Sequence, residues 1–248
     1  MFWEPGAHAG YICLALLCIA LLNGKFSIGQ YRKEALALSA GLLTTMSTTG
    51  FLIFAIMCLI YVLQNYSYGK YILLPLLVAI GIYSYNNLEF LSKKIEEQYV
   101  EAVEMDPTDV SSTRFGALNM DITYIKSQPL TGNGLHKSTR FRFHPWFDDE
   151  VGHGNGMSNF LAFWGIPFFL FWVICLYRFG KQASGSTVTA ILFVLLMLLI
   201  LQGEQFLNFP LFLIFFTAPA IPLRWEIDPA ELERYEAEDV RNQLAGNY

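Results

Sequence analysis

Residues 150–165 read EVGHGNGMSNFLAFWG, which sets His153 and Asn155 among three glycines directly ahead of an aromatic-rich apolar run. An imidazole with a free pKa near ~6.5 can take a proton from a hydroxyl at neutral pH. Gly152, Gly154 and Gly156 would let backbone approach a bulky substrate closely. Upstream stand Arg114, Lys137, Arg140 and Arg142, with His136 and His144. A guanidinium is a planar fork of donors matched to paired phosphate oxygens, and it stays charged. Arginines near a histidine therefore suit an anionic, phosphate-bearing substrate. The plainer alternative for Arg140 and Arg142 is a solvated loop balanced by Asp148, Asp149 and Glu150. No pair among His136, His144 and His153 has the i,i+4 spacing of a strong zinc site, so neither metal nor cofactor is expected. Glu4, ahead of Pro5-Gly6, is a further candidate for pairing with an arginine or orienting an acceptor. Ser47, Thr48 and Thr49 supply hydroxyls at a short turn.

These residues sit in an apolar chain. Of 248 residues, 54% are apolar and only 15% charged, with mean hydropathy +0.39. Soluble domains carry about a quarter charged residues, so the balance indicates a membrane protein. Net charge is −5, and the acidic excess lies in the last residues, Glu226–Tyr248, which leaves no basic footprint for nucleic acid. The cysteines (Cys13, Cys18, Cys58, Cys175) all fall within apolar stretches and read as small buried hydrophobes.

A span needs about 20 predominantly apolar residues. Seven candidates are present: Gly10–Leu22, Glu34–Met46, Phe51–Gln64, Tyr71–Tyr85, Met157–Tyr177, Thr187–Gln202 and Phe206–Leu223. The predicted class is an all-α, polytopic bundle of about seven spans with a large periplasmic loop. Residues 1–85 hold four spans, 86–156 the loop, 157–223 three more spans, and 224–248 an acidic cytoplasmic helical tail. A rival joins the second and third candidates into one kinked helix through Ser47–Gly50. With seven spans, Lys25, Arg32, Lys33, Lys70, Arg178 and Lys181 all fall on one side, which the positive-inside tendency makes cytoplasmic. His153 then faces outward.

Within the loop, Leu88–Met105 reads as an amphipathic helix ended at Asp106-Pro107. The stretch SSTRFGALNMDITYIKSQPLTGNG predicts a second helix with Phe115, Leu118, Ile122 and Ile125 on one stripe. Arg114 and Asp121 lie on a common face beside it, and Pro129, Gly132 and Gly134 end the helix. Asp228-Pro229-Ala230-Glu231 begins the tail helix with a cap, a first-turn proline and an acid three residues on.

In this order the motifs resemble the superfamily of O-antigen ligases and O-antigen polymerases. FWEPGAHAGYI is similar to the EPG element that opens a span in that family, and TTMSTTGFL to its outer-turn SxTG element. STRFGALNMDITYIKSQPLTGNGL resembles the Arg-bearing helix followed by hxPLxGxG, and HGNGMSNFLAFWGI the His–Asn loop leading into a span. The resemblance covers most of residues 2–210. It implies a multi-pass bacterial inner-membrane glycosyltransferase, metal-free, with undecaprenyl-diphosphate-linked glycan as donor and a sugar hydroxyl as acceptor. His153 takes the position of the family's periplasmic base and Arg114 that of the loop-helix arginine. Arg140, Arg142, Asn155 and Glu4 are the further substrate-binding candidates. A chain-length regulator or another assembly protein is an expected partner.

Departures are specific: Gly154 separates His153 from Asn155, Gly165 stands twelve rather than eleven residues after His153, and Thr48 occupies a position where many ligases carry arginine. The Asn shift, with the EPG and STTG elements, favours a polymerase over a ligase. The family's additional N-terminal spans are missing, so the chain reads as the carboxy-terminal part of a longer protein. A non-catalytic scaffold or an inactive fragment is the alternative from outside enzymology.

Overall fold

The computed structural model describes residues 5–22, 28–66, 114–144 and 155–217, with scattered helical positions between 71 and 100. Every regular element among them is helical. In chain order these are α1 (Pro5–Leu22), a 3-10 turn at Gly29–Tyr31, α2 (Arg32–Thr44) and α3 (Thr48–Asn65). After them come α4 (Arg114–Ser127), α5 (Lys137–Arg140), α6 (Gly156–Ser184) and α7 (Thr187–Leu201). Last is α8 (Pro210–Leu213), between 3-10 turns at Phe206–Asn208 and Ile214–Phe216.

Among the described residues three helices, α1, α3 and α6, are long and apolar enough to cross a membrane, and α7 is a shorter apolar helix. That makes the chain a membrane protein. α1 is apolar all round and is accordingly the packed centre, touching α2, α3, α6 and α7. Cys13, Leu17 and Leu21 on it are fully enclosed, with Leu42 of α2 and Phe193, Met197 and Leu201 of α7 in the same core.

Several expected spans take a different form. The second is the 13-residue α2, and at ~1.5 Å per residue it covers about 20 Å, short of a ~30 Å hydrocarbon core. α2 and α3 are two helices and not one kinked helix: Met46 turns the chain at φ 52, and Ser47 Oγ caps α3 by accepting from Gly50 N at 3.2 Å. The last expected span, in its described part, is broken into short turns. Pro210 contributes no N–H, and Phe209 on its N-terminal side is extended. The fourth span, the Leu88–Met105 helix and the acidic tail lie outside the described residues, apart from the scattered helical positions already noted.

One end of the bundle gathers four chain segments. A Cβ on Gly156, at the start of α6, would stand 1.9 Å from the Glu204 carbonyl oxygen just after α7. A Cβ on Gly6 of α1 would stand 2.7 Å from a Glu204 carboxylate oxygen, and one on Gly203 3.6 Å from Thr49 of α3. The starts of α1, α3 and α6 and the end of α7 therefore meet. At the other end lie Arg32 and Lys33, which open α2, and Arg178 and Lys181 near the end of α6. Lys181 Nζ donates to the Gly185 carbonyl at 3.2 Å and to Thr187 Oγ1 at 2.8 Å, closing the α6–α7 corner.

Candidate functional site

α6 is interrupted where its sequence reads Gly165-Ile166-Pro167. Gly165 sits at φ 80, ψ 168, and Pro167 has no N–H to offer the Phe163 carbonyl. A break of this kind frees backbone groups that lipid cannot satisfy. The segment after α4 satisfies them. Ile166 N donates to the Pro129 carbonyl at 2.8 Å. The Ala162 carbonyl accepts from Asn133 N at 2.8 Å and from Asn133 Nδ2 at 3.2 Å, and the Phe163 carbonyl accepts from Gly134 N at 3.1 Å. Gly132, at φ 68, is pressed so close that a Cβ would lie 2.1 Å from the Phe163 carbonyl oxygen. The PLTGNG segment is thus a plug hydrogen-bonded into the break of α6.

Above the plug, α4 lies beside the first turns of α6. Asp121 and Arg140 form an ion pair with both side chains wholly buried. Arg140 Nη2 also donates to Asn159 Oδ1 at 2.9 Å, and Ser158 Oγ donates to Asp121 Oδ2 at 2.5 Å. The guanidinium is walled by the rings of Tyr124, Phe141 and Phe163, at 4.7, 4.9 and 5.1 Å from their centroids. Its Nε and Nη1 have no hydrogen-bond partner, and the π faces of these rings are the remaining attraction for a buried cation. One buried pair thereby ties α4, α5 and α6 together.

Tyr124 organises the exit from α5. Its hydroxyl accepts from Phe143 N at 3.0 Å and His144 N at 3.1 Å, and lies 3.0 Å from His144 Nδ1. With both lone pairs used, the hydroxyl donates to Nδ1, which requires a neutral imidazole there. Burial first, then the Arg140 charge, hold His144 below its ordinary pKa. Folding therefore weakens the hold of this ring on a proton. The stability it contributes is complete above the unfolded value of 6.5 and is lost as pH falls through the lower folded value. Proteolysis of the segment after α5 should accelerate between pH 7 and pH 5 in the parent chain. In Tyr124→Phe, which has no hydroxyl to donate, the fast rate should already be present at pH 7.

The candidate residues from sequence are distributed as follows. His153 and Glu4 lie outside the described residues. Arg114 opens α4, but its side chain is outside them too. Arg142 is exposed, its guanidinium 4.5 Å from the Phe143 ring centroid. Arg140 is not a solvated loop charge, because Asp121 holds it inside. Asn155 is 3% exposed and caps α6, accepting from Ser158 N at 3.1 Å, while its Nδ2 donates to Gln202 Oε1 at 2.8 Å. Its amide is engaged at both ends.

The expected stripe on α4 needs correction. The buried face is Ala117, Met120, Asp121 and Tyr124, and Ile122 is 37% exposed. The helix is rotated to bring an acid inward, which its arginine partner makes tolerable. Asp121, Tyr124, Asn133, Ser158, Asn159 and Gln202 carry the junction. The readable signal was three small polar residues, Asn155, Ser158 and Asn159, at helical spacing in the first turns of an otherwise apolar span.

Comparison with protein-family models, with curated proteins and with solved structures finds no match to the chain.

Proposed function

We propose that the chain is a membrane glycosyltransferase that polymerises undecaprenyl-diphosphate-linked oligosaccharide repeats, with His153 as base and Arg114 as the principal diphosphate ligand. The observation that supports this is the parallel pairing of α4 with α6. Asp121 bonds to Ser158, and Asn133 Nδ2 joins the Tyr124 carbonyl to the Ala162 carbonyl, so both helices run in the same sense. Arg114 is seven residues before Asp121, about 10 Å along the axis at ~1.5 Å per residue. Asn155 is three residues before Ser158, and two further residues of chain to His153 reach at most ~7 Å. The two chemical residues can therefore stand at one height, beyond the same end of the junction.

In this mechanism His153 accepts the proton of the attacking sugar hydroxyl. The hydroxyl oxygen bonds to the anomeric carbon while the carbon–oxygen bond to the diphosphate breaks, and the electron pair leaves on undecaprenyl diphosphate. Configuration inverts. Arg114, with the exposed Arg142, steadies the growing charge on the diphosphate, an effect that is large in a partly dry site. Arg140 is committed to Asp121, and Asn155 to capping α6, so both act by position. The grouping of Arg32, Lys33, Arg178 and Lys181 at the opposite end supports an outward-facing site.

His153→Ala should abolish transfer from a purified radiolabelled lipid-linked oligosaccharide, a loss of at least ~100-fold for a removed general base. Membrane insertion and thermal stability should be unchanged. Transfer at the parent rate would remove His153 from the mechanism. Gel analysis of lipopolysaccharide after gene deletion separates two outcomes: single-repeat product indicates a polymerase, and unligated lipid-linked polymer a ligase.

A further inference from the structure

The plug that fills the break in α6 has a depth, and the charges on α6 set it. Arg178 is exposed, and Lys181 closes the corner one turn further on; cations on a span mark its boundary with water. Twelve residues separate Gly165 from Tyr177, a rise of about 18 Å against a hydrocarbon thickness of ~30 Å. The break then lies about 12 Å below the far boundary. Allowing Arg178 to snorkel from one turn inside still leaves it ~7 Å deep. Tilting α6 would lower it further.

The side chains around the plug fit that depth. Leu130 is 72% exposed, and its carbonyl oxygen would lie 2.5 Å from a Cβ on Gly165. Its neighbours on α6, Trp164, Ile166 and Phe168, are also exposed, and the apolar surface continues down α6 through Leu170, Phe171 and Ile174. Backbone at membrane depth must be satisfied by protein, and the Pro129 carbonyl and the N–H groups of Gly132, Asn133 and Gly134 are so satisfied, with Gly132 N donating to the Gln128 carbonyl.

We infer that the segment Pro129–Gly134 is a re-entrant loop whose tip, at Leu130, is immersed in the hydrocarbon of the leaflet at the Asn155 end of α6. Its partner is the acyl-chain phase, continuous with the lipid that covers the lower part of α6. α4 then stands as a strut rooted inside the bilayer. This assignment does not depend on the reaction proposed above.

The test is spin-label depth measurement in phosphatidylcholine–phosphatidylglycerol vesicles. Leu130→Cys is labelled in a chain whose four natural cysteines are replaced by alanine, with Ile174→Cys as the immersed reference and Lys137→Cys as the wet one. The label at 130 should be relaxed by oxygen and shielded from a water-soluble nickel chelate, as at 174. Quenching of a fluorophore at 130 by lipids brominated along the acyl chain should agree. Nickel accessibility equal to that at 137, or quenching only by headgroup-labelled lipid, overturns the inference.

Discussion

Asp121→Ala should destabilise the protein by about 3–5 kcal/mol, the usual cost of removing one partner from a buried pair. The reason is local. Arg140 is wholly enclosed, two of its nitrogens already lack hydrogen-bond partners, and its remaining nitrogen would keep only Asn159. A cation in that position must find another anion or drag α5 out to water. Ser158 Oγ would lose its shorter acceptor at the same time, keeping only the Asn155 carbonyl at 3.5 Å. Unfolding in detergent monitored by tryptophan fluorescence measures the loss. Replacing both residues, Asp121→Leu with Arg140→Met, should recover more than half of it, since an apolar pair of similar volume leaves no orphaned charge. A fully stable single variant would mean that the pair does not hold α4 on α6.

Gly165→Ala should be comparably damaging, for a different reason. At φ 80 and ψ 168 the backbone occupies a region essentially restricted to glycine, which costs about 1–3 kcal/mol for any other residue. The new Cβ would also sit 2.5 Å from the Leu130 carbonyl oxygen, a backbone atom that cannot rotate away. Relief requires withdrawing the plug and with it the hydrogen bonds to Ala162, Phe163 and Pro129. Gly132→Ala meets the Phe163 carbonyl at 2.1 Å and should behave alike. Gly185 offers the control. Its φ is 67, but nothing lies within 4 Å of a Cβ there, so Gly185→Ala should show only the ~1–2 kcal/mol of left-handed strain. Equal losses at 165 and 185 would mean that backbone strain alone, and not the docked loop, explains the first.

Much of this arrangement could be read from local chemistry. Ser47 and Ser186 before their helices, Gly185 after α6, and the apolar runs of α1, α3 and α6 each announce themselves through short-range rules. The helix carrying Arg114 was legible as well, with its end before Pro129. Its orientation was not. Ranking residues by apolarity puts Ile122 inward and Asp121 outward, and only the arginine nineteen residues on reverses that order. The glycines at 132, 134 and 165 were visible as motif letters. Their shared purpose was hidden, because a broken span and a loop some thirty residues earlier explain each other only when brought into contact. The two-point hold on Asn155 depends in the same way on Gln202, at the end of another helix.

The chemical proposal rests on Arg114 and His153 sharing one end of the α4–α6 pair on the outer membrane face. Paired cysteines at 114 and 153, in a chain free of its four natural cysteines, test this most directly. A thiol cross-linker spanning about 10 Å, the rise of two helical turns, should join them in intact cells. A membrane-impermeant maleimide added from outside should block that reaction. No cross-link at any length up to twice that span, or blocking only after the cells are opened, would contradict the account.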